Sequence, residues 1–170
     1  MPDLQYPVGR FQNVPNPSAE QRAAWISTIE QAPALTRAAI ESLPPGAIGK
    51  PYRPGGWTPL QVVHHMADSH INSYIRFRFA LTEQQPTIMA YDEAQWAELP
   101  DAKAAPVDLS LRLLESLHAR WVVLLKSLTP EQFNRTLNHP ENGLMDLNRM
   151  LCLYAWHSRH HVAHIGLLHG

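Results

Sequence analysis

Four histidines lie within eight residues near the end of the chain, in the segment Trp156–Ile165. On a helix with 3.6 residues per turn, His157 and His161 point in directions about 40° apart. The same face carries the apolar side chains of this part of the chain, which are Leu147, Met150, Leu153, Tyr154, Ile165 and Leu168. Both histidines are therefore expected on the buried face of an amphipathic helix. The chain must fold so that other elements enclose this polar pair.

Two imidazoles one helical turn apart on an inward face can bind the same metal ion. A single buried histidine is more often a core residue that is hydrogen-bonded to the backbone or to a neighbour such as Tyr154. Four histidines in eight residues favour the metal site instead. His160 and His164 form a second pair with the same spacing, for which packing beside the site is the alternative role.

Four amphipathic segments are predicted to be long helices. Three of them follow clear capping residues, which are Ser18, Thr58 and Asp146. The first helix runs from Ser18 to about Leu43 and is expected to bend next to Pro33, because proline removes one backbone hydrogen bond. The others are predicted from Thr58 to about Glu83, over about 109 to 127, and after Asp146.

The connections between these helices are long and rich in proline and glycine. Residues 44–56 form an irregular connection, and residues 84–108 form a second one with a helical turn at 92–98. A short helical turn is predicted at residues 129–132 and a tight turn at Asn142-Gly143. Helices joined in this way predict an all-α fold, a four-helix bundle with long crossover connections. Residues 1–17 are expected to form an extended arm over it.

The composition limits the class of protein. The chain has 170 residues, 14 basic and 15 acidic side chains, and one cysteine, Cys152. This length suits a single domain, residues 1–170, and one cysteine excludes an internal disulfide and a cysteine-based zinc cluster. The balanced charge and the lack of a basic stripe argue against nucleic-acid binding. No signal peptide and no apolar run of about 18 residues is found, so we expect a cytoplasmic protein that does not enter membranes.

A metal site on the last helix needs a third ligand from another part of the bundle. The sequence offers five candidate histidines outside that helix, which are His64, His65, His70, His118 and His139. Spacing alone does not choose among them, because the choice depends on which helices face each other.

Two stretches carry a resemblance to a known family. One contains Trp57-Thr58 and then, eight residues after the tryptophan, a His-Met-Ala-Asp sequence that begins at His65; the other is the histidine-rich segment 156–165. Together they resemble the DinB/YfiT family of metal-dependent hydrolases. Three further stretches are similar to the YfiT branch, namely residues 52–57, 73–77 and 91–93. The resemblance covers nearly the whole chain.

The resemblance implies a four-helix bundle, usually a homodimer, with one divalent metal ion in each subunit. In that family the ligands are one histidine of the second helix and an H-x-x-x-H pair of the last helix. The matching residues are His65, which precedes Met66 where the family has leucine, and His157 and His161. Imidazole ligands suit Zn²⁺ and also Ni²⁺. His64 stays an alternative to His65, and His164 stands where more distant members have glutamine.

Three histidine ligands leave at least one position on the metal for water or substrate, which is typical of a catalytic site. The resemblance therefore implies a metal-dependent hydrolase that acts on a small molecule. Two alternatives stay open. One is transfer of a low-molecular-weight thiol to an electrophile at the same metal, as in relatives within the wider superfamily. The other is a bundle that only binds the ion, which a fourth ligand from His64, Asp68 or His164 would favour.

The second helix carries a polar stripe on the side of His65, formed by Gln61, Asp68, Ser69, Asn72 and Arg76. Such a stripe faces either solvent or a polar cavity inside the bundle. In the second case Asp68 is a candidate base or a residue that orients a ligand histidine. Arg76 is then a candidate for binding an anionic group of the substrate.

Overall fold

Four long helices dominate the fold. The computed structural model describes residues 3–169. Its α-helices are α1 (Ala19–Glu41), α2 (Pro59–Thr82), α3 (Glu93–Trp96), α4 (Pro100–Ala104), α5 (Val107–Ser127), α6 (Pro130–Phe133) and α7 (Leu147–Gly166). Two strands, β1 (Thr136–His139) and β2 (Gly143–Asp146), and a 3₁₀ turn at Ala47–Gly49 complete the structure. None of the helices between residues 3 and 169 combines the length and apolar composition needed to cross a membrane.

The long helices α1, α2, α5 and α7 form the bundle. Helix α1 packs mainly against α5 and α7, and α2 packs against the same two helices. The consecutive helices α1 and α2 therefore occupy opposite corners, so the chain must cross the end of the bundle between them. The predicted four-helix bundle with long crossover connections is confirmed.

Local side-chain hydrogen bonds are present at three of the predicted helix starts. Ser18 and Thr58 each form a capping box with the glutamine three residues later. The Asp146 carboxylate accepts from the backbone N–H of Arg149 at 2.7 Å and caps α7. Helix α5 starts at Val107, directly after Pro106, two residues before the predicted start. Pro106 is the N-cap residue of this helix and makes no side-chain capping hydrogen bond.

Pro33 lies inside α1, and the helix continues through it. Because proline has no N–H, the carbonyl of Ile29 lacks its usual partner four residues later. The ring nitrogen Nδ1 of His118 on α5 lies 2.6 Å from that carbonyl oxygen and donates to it. A side chain from a neighbouring helix thus replaces the missing backbone donor.

The strands β1 and β2 were not predicted from the sequence. They pair antiparallel, with His139 opposite Gly143, which has φ +68°. The turn expected at Asn142-Gly143 belongs to the loop that connects the two strands of this hairpin. The connection after α2 is hydrogen-bonded to β1, because the Ile88 N–H donates to the Asn138 carbonyl at 3.0 Å. Strands of four residues are too short to give a clear alternating pattern.

The N-terminal residues lie along α7. The indole N–H of Trp156 donates to the Gly9 carbonyl at 3.0 Å, and Nε2 of His164 lies 3.2 Å from the Gln5 carbonyl. Cys152 is buried under the same segment, with its sulfur 3.8 Å from the Gln12 carbonyl. The arm therefore covers the outer side of the histidine-rich helix.

We expect Trp121→Ala to lower the free energy of unfolding by about 3–5 kcal/mol, because Trp121 is fully buried and its removal leaves a cavity. Val123→Ala on the same helix is the matched control. Val123 is 72% exposed, so its change should stay within about 0.5 kcal/mol. Urea unfolding of both variants measures the difference, and equal destabilisation would contradict the described packing of α5.

Candidate metal site

The three predicted ligands come together between α2 and α7. Nε2 of His65 lies 3.2 Å from Nε2 of His157. One ring nitrogen from each of His65, His157 and His161 lies within 4.8 Å of the other two. Nitrogens bound to one tetrahedral zinc ion are about 3.3 Å apart, given Zn–N distances of about 2.0–2.1 Å. The donor atoms therefore fit a divalent metal ion.

Burial keeps these imidazoles neutral, which is the form that binds metal. His65 and His161 are 5% and 6% exposed. Burial, with smaller contributions from His160 and His164, lowers the pKa of His65 to about 4. Burial also lowers the pKa of His157 and of His161 well below the ordinary value for histidine.

His64, the alternative to His65, points to another part of the bundle. Its Nδ1 lies 2.7 Å from the Ser110 hydroxyl, and its Nε2 lies 3.1 Å from the Ala105 carbonyl. Both ring nitrogens are therefore occupied by neighbours on the α4–α5 side. This geometry favours His65 as the ligand from α2.

His160 and His164 form a second group with His161, with one nitrogen of each within 4.8 Å of the others. His160 stacks on Trp156 with ring centroids 4.4 Å apart, and His164 stacks on Tyr52 at 4.1 Å. Because both groups need His161, they are alternatives for one ion. The first group draws donors from two helices, whereas the second comes from a single helix.

His70 and His118, two other candidates for the third ligand, lie behind the site. Nε2 of His70 is 3.0 Å from Nδ1 of His157, and Nδ1 of His70 is 2.7 Å from Nε2 of His118. His70 contacts His157 directly and His118 contacts His70, so neither is grouped with the three candidate ligands. This arrangement was missed because His70 and His118 are on different helices, and only the packing of α2 against α5 makes them neighbours.

A cavity of about 540 Å³ opens onto the site. It is lined by the three candidate ligand histidines and by side chains from other helices, loops and β1, among them Trp57, Arg76, Tyr91, Glu93 and His139. The polar stripe of α2 thus faces this cavity in part, because Ser69 and Arg76 contribute to its lining. Of the two interpretations of that stripe, the structure supports the polar cavity at these positions.

Asp68 and Arg76 differ in their relation to the cavity. Arg76 is 8% exposed and lines it, and its Nη2 donates to the Met89 carbonyl at 2.8 Å. Asp68 is half-buried and is not among the lining residues. Its pKa is raised by burial and by Asp101, and no hydrogen bond joins its carboxylate to the three histidines. The structure therefore brings Arg76, but not Asp68, to the site.

The sequence of this chain is similar to a known protein family and to named bacterial relatives. A family model described as the DinB superfamily matches residues 28–165. A protein of Bacillus mycoides strain KBAB4, named "putative metal-dependent hydrolase", is 53% identical over 97% of this chain and 95% of its own length. A protein of Bacillus cereus strain 03BB102 with the same name is 54% identical over the same shares.

Two solved structures share the fold. YfiT from Bacillus subtilis, described as a probable metal-dependent hydrolase with an unusual four-helix bundle topology, has a TM-score of 0.93 and 48% identity. The match covers 97% of this chain and 95% of YfiT. TT2238, described as a four-helix bundle protein, has a TM-score of 0.59 at 20% identity over 84% of this chain and 95% of its own. The second match supports the fold alone.

Burial of His118 predicts that the metal-free protein loses stability in acid. Burial lowers the pKa of His118 from 6.5 to about 4. Between these values the unfolded chain binds a proton that the folded chain does not, so stability falls as the pH falls. We expect His118 alone to account for a loss of about 2 kcal/mol between pH 7 and pH 5. Urea unfolding at both pH values measures it.

The exposed His169 provides the control for this prediction. The variant His169→Ala should keep the full pH difference, whereas His118→Leu should show a smaller one. An equal difference in both variants would mean that His118 is not the titrating group.

Proposed function

Because the chain belongs to the DinB superfamily, we propose that it is a metal-dependent hydrolase that binds one divalent ion, Zn²⁺ or Ni²⁺, through His65, His157 and His161. The resemblance found in the sequence motifs is confirmed by the family match and by the relatives that are more than 50% identical. The names of those relatives support the reaction class, and the geometry of this chain supports the ligands.

The observation that carries the proposal is the convergence of three imidazoles from two helices, two buried and one partly buried, at the wall of a cavity. A metal with three protein ligands keeps a position open, whereas structural zinc sites are normally closed by four. When bound, the ion would lower the pKa of a water molecule and polarise a carbonyl group of the substrate.

Two of the candidate fourth ligands have other partners and the third, Asp68, does not line the cavity, which favours an open site over a purely structural one. His64 is occupied by Ser110 and Ala105. His164 contacts the Gln5 carbonyl through Nε2 and His161 through Nδ1. Asp68 does not line the cavity. Trp57 lies against His65, with ring centroids 4.7 Å apart, and shields this ligand from solvent.

The burial of Arg76 at the cavity supports the proposal that the substrate is anionic. It is a nearly buried cation that interacts electrostatically with Glu93 in the same cavity, and no salt bridge to it is found within residues 3–169. A buried charge is costly unless it is paired, so a ligand that brings a negative charge into the cavity would gain from Arg76. We therefore propose that the substrate carries a carboxylate or another anionic group that contacts Arg76.

The ligand assignment predicts the metal content of purified protein. The untagged parent should contain one equivalent of zinc or nickel by elemental mass spectrometry. His65→Ala, His157→Ala and His161→Ala should each lose it, together with hydrolysis of 4-nitrophenyl acetate. His64→Ala and His160→Ala are matched controls from the same helices and should keep the metal.

Three outcomes would overturn parts of this assignment. Loss of metal in His160→Ala but not in His157→Ala would place the ion at the second histidine group. Conjugation of a small thiol to an electrophile at a rate far above any ester or amide hydrolysis would favour the thiol transferase. A parent that holds no metal and refuses added zinc and nickel would remove the enzymatic interpretation.

The proposed role of Arg76 predicts selectivity between two esters. Arg76→Met should raise KM for 4-nitrophenyl succinate, which carries a carboxylate, by on the order of tenfold to a hundredfold, because a hydrogen bond to a charged group is lost. KM for the neutral 4-nitrophenyl acetate should change little. Arg78→Met on the exposed side of α2 is the control and should affect neither. An equal rise for both esters would contradict an anion-binding role.

A further inference from the structure

A continuous series of hydrogen bonds leads from the backbone of α1 to the metal site. It begins at the Ile29 carbonyl, which lies 2.6 Å from Nδ1 of His118. It continues from Nε2 of His118 to Nδ1 of His70 at 2.7 Å, and from Nε2 of His70 to Nδ1 of His157 at 3.0 Å. It ends at Nε2 of His157, which faces His65. The series uses α1, α5, α2 and α7 in turn.

The chemistry of the first contact fixes the direction of every later one. A carbonyl oxygen only accepts, so Nδ1 of His118 must carry the proton. A neutral imidazole has one N–H and one lone pair, so Nε2 of His118 accepts the N–H of His70 at Nδ1. By the same rule, Nε2 of His70 accepts from Nδ1 of His157. The lone pair of His157 is then on Nε2, the atom that faces the site.

We infer that His118 and His70 are positioning residues that hold His157 in the tautomer and ring orientation in which Nε2 binds the metal ion. Histidine ligands in metalloproteins usually donate their other N–H to a carboxylate, a carbonyl or a water molecule. Here the acceptor is a second histidine, which is itself fixed by a third. The inference rests on the metal site of the proposed function but not on the reaction that occurs there.

The surroundings of the series keep it dry and neutral. His70 and His118 are 0% and 1% exposed. Trp121 packs against both rings in a T-shaped arrangement, with centroid distances of 6.0 Å and 5.8 Å. No carboxylate forms a salt bridge with either histidine in the described part of the chain. Burial lowers the pKa of His118 to about 4, which agrees with a neutral ring at pH 7.

The same reasoning assigns the tautomer of His161, the other proposed ligand on α7, through a shorter series of hydrogen bonds. The Gln5 carbonyl lies 3.2 Å from Nε2 of His164, so that nitrogen donates. Nδ1 of His164 then accepts from Nδ1 of His161, 3.3 Å away, which leaves the lone pair of His161 on Nε2. This contact gives His164 a role beside the metal site, as a residue that orients His161.

The tautomers can be read directly in metal-free protein. Ring ¹⁵N labelling of histidine and two-bond ¹H–¹⁵N correlation spectra at pH 7 distinguish Nδ1–H from Nε2–H. We expect His118, His70 and His157 each to show a protonated Nδ1 and an unprotonated Nε2. A protonated Nε2 on His70 or His157, or exchange between both tautomers, would overturn the inference.

Two variants of His70 distinguish a role in orienting His157 from a role in packing alone. In His70→Gln the amide oxygen can take the place of Nε2 and accept from His157, whereas His70→Leu fills the space without an acceptor. Competition with a chromophoric chelator should show Zn²⁺ affinity reduced by about 10–100-fold in His70→Leu, and close to that of the parent in His70→Gln. Equal affinity in the leucine variant and the parent, or equal loss in both variants, would contradict the positioning role.

A second variant keeps the test decisive if His70→Leu does not fold. His118→Asn retains a donor for the Ile29 carbonyl but removes the acceptor for His70, so the tautomers of His70 and His157 should become mixed. Unchanged tautomers in this variant would overturn the inference. A parent that refuses zinc would refute the proposed metal site, whereas the tautomer spectra of the metal-free protein would still decide the orientation of the series.

Discussion

The carbonyl of Ile29 is the polar group on which the interior of the bundle depends. It is fully enclosed, and Pro33 removes the helical donor that would normally satisfy it. An unpaired buried carbonyl costs about 1–3 kcal/mol, so α5 must approach α1 closely enough for His118 to replace that donor. The position of α5 then decides where His70 finds its partner. Pro33 in α1 is thereby connected to His157 on α7 through the side chains of His118 and His70.

The histidines form a polar layer inside an apolar bundle. Trp121, Phe77 and Tyr154 pack around that layer, and His70 contacts two of these rings edge-on. Polar groups in such surroundings tolerate few arrangements, because each N–H and each lone pair must find its partner. A shift of one helix by a turn would break several of these hydrogen bonds at once. The polar layer thus selects one register of the helices.

Much of the fold and of the site could be predicted from the sequence. The capping residues Ser18, Thr58 and Asp146 mark helix starts because their hydrogen bonds are local. The pairing of His157 with His161 follows from helical spacing, while the choice of His65 came from the family resemblance. The roles of His70 and His118 could not be predicted, because they depend on the distance between helices. Likewise, periodicity could not tell whether Arg76 faces solvent or a cavity.

Each long helix supplies one part of the hydrogen-bonded series, with α1 giving a carbonyl, α5 and α2 a histidine each, and α7 the proposed ligand His157. A partly folded chain in which any one helix has detached therefore has the histidines but not their fixed orientation. Under the proposed assignment, metal affinity depends on the complete tertiary structure, so ion binding and folding would be thermodynamically linked through all four long helices. Copying only the three ligands onto another helical scaffold would transfer the donor atoms without the constraint that aims them.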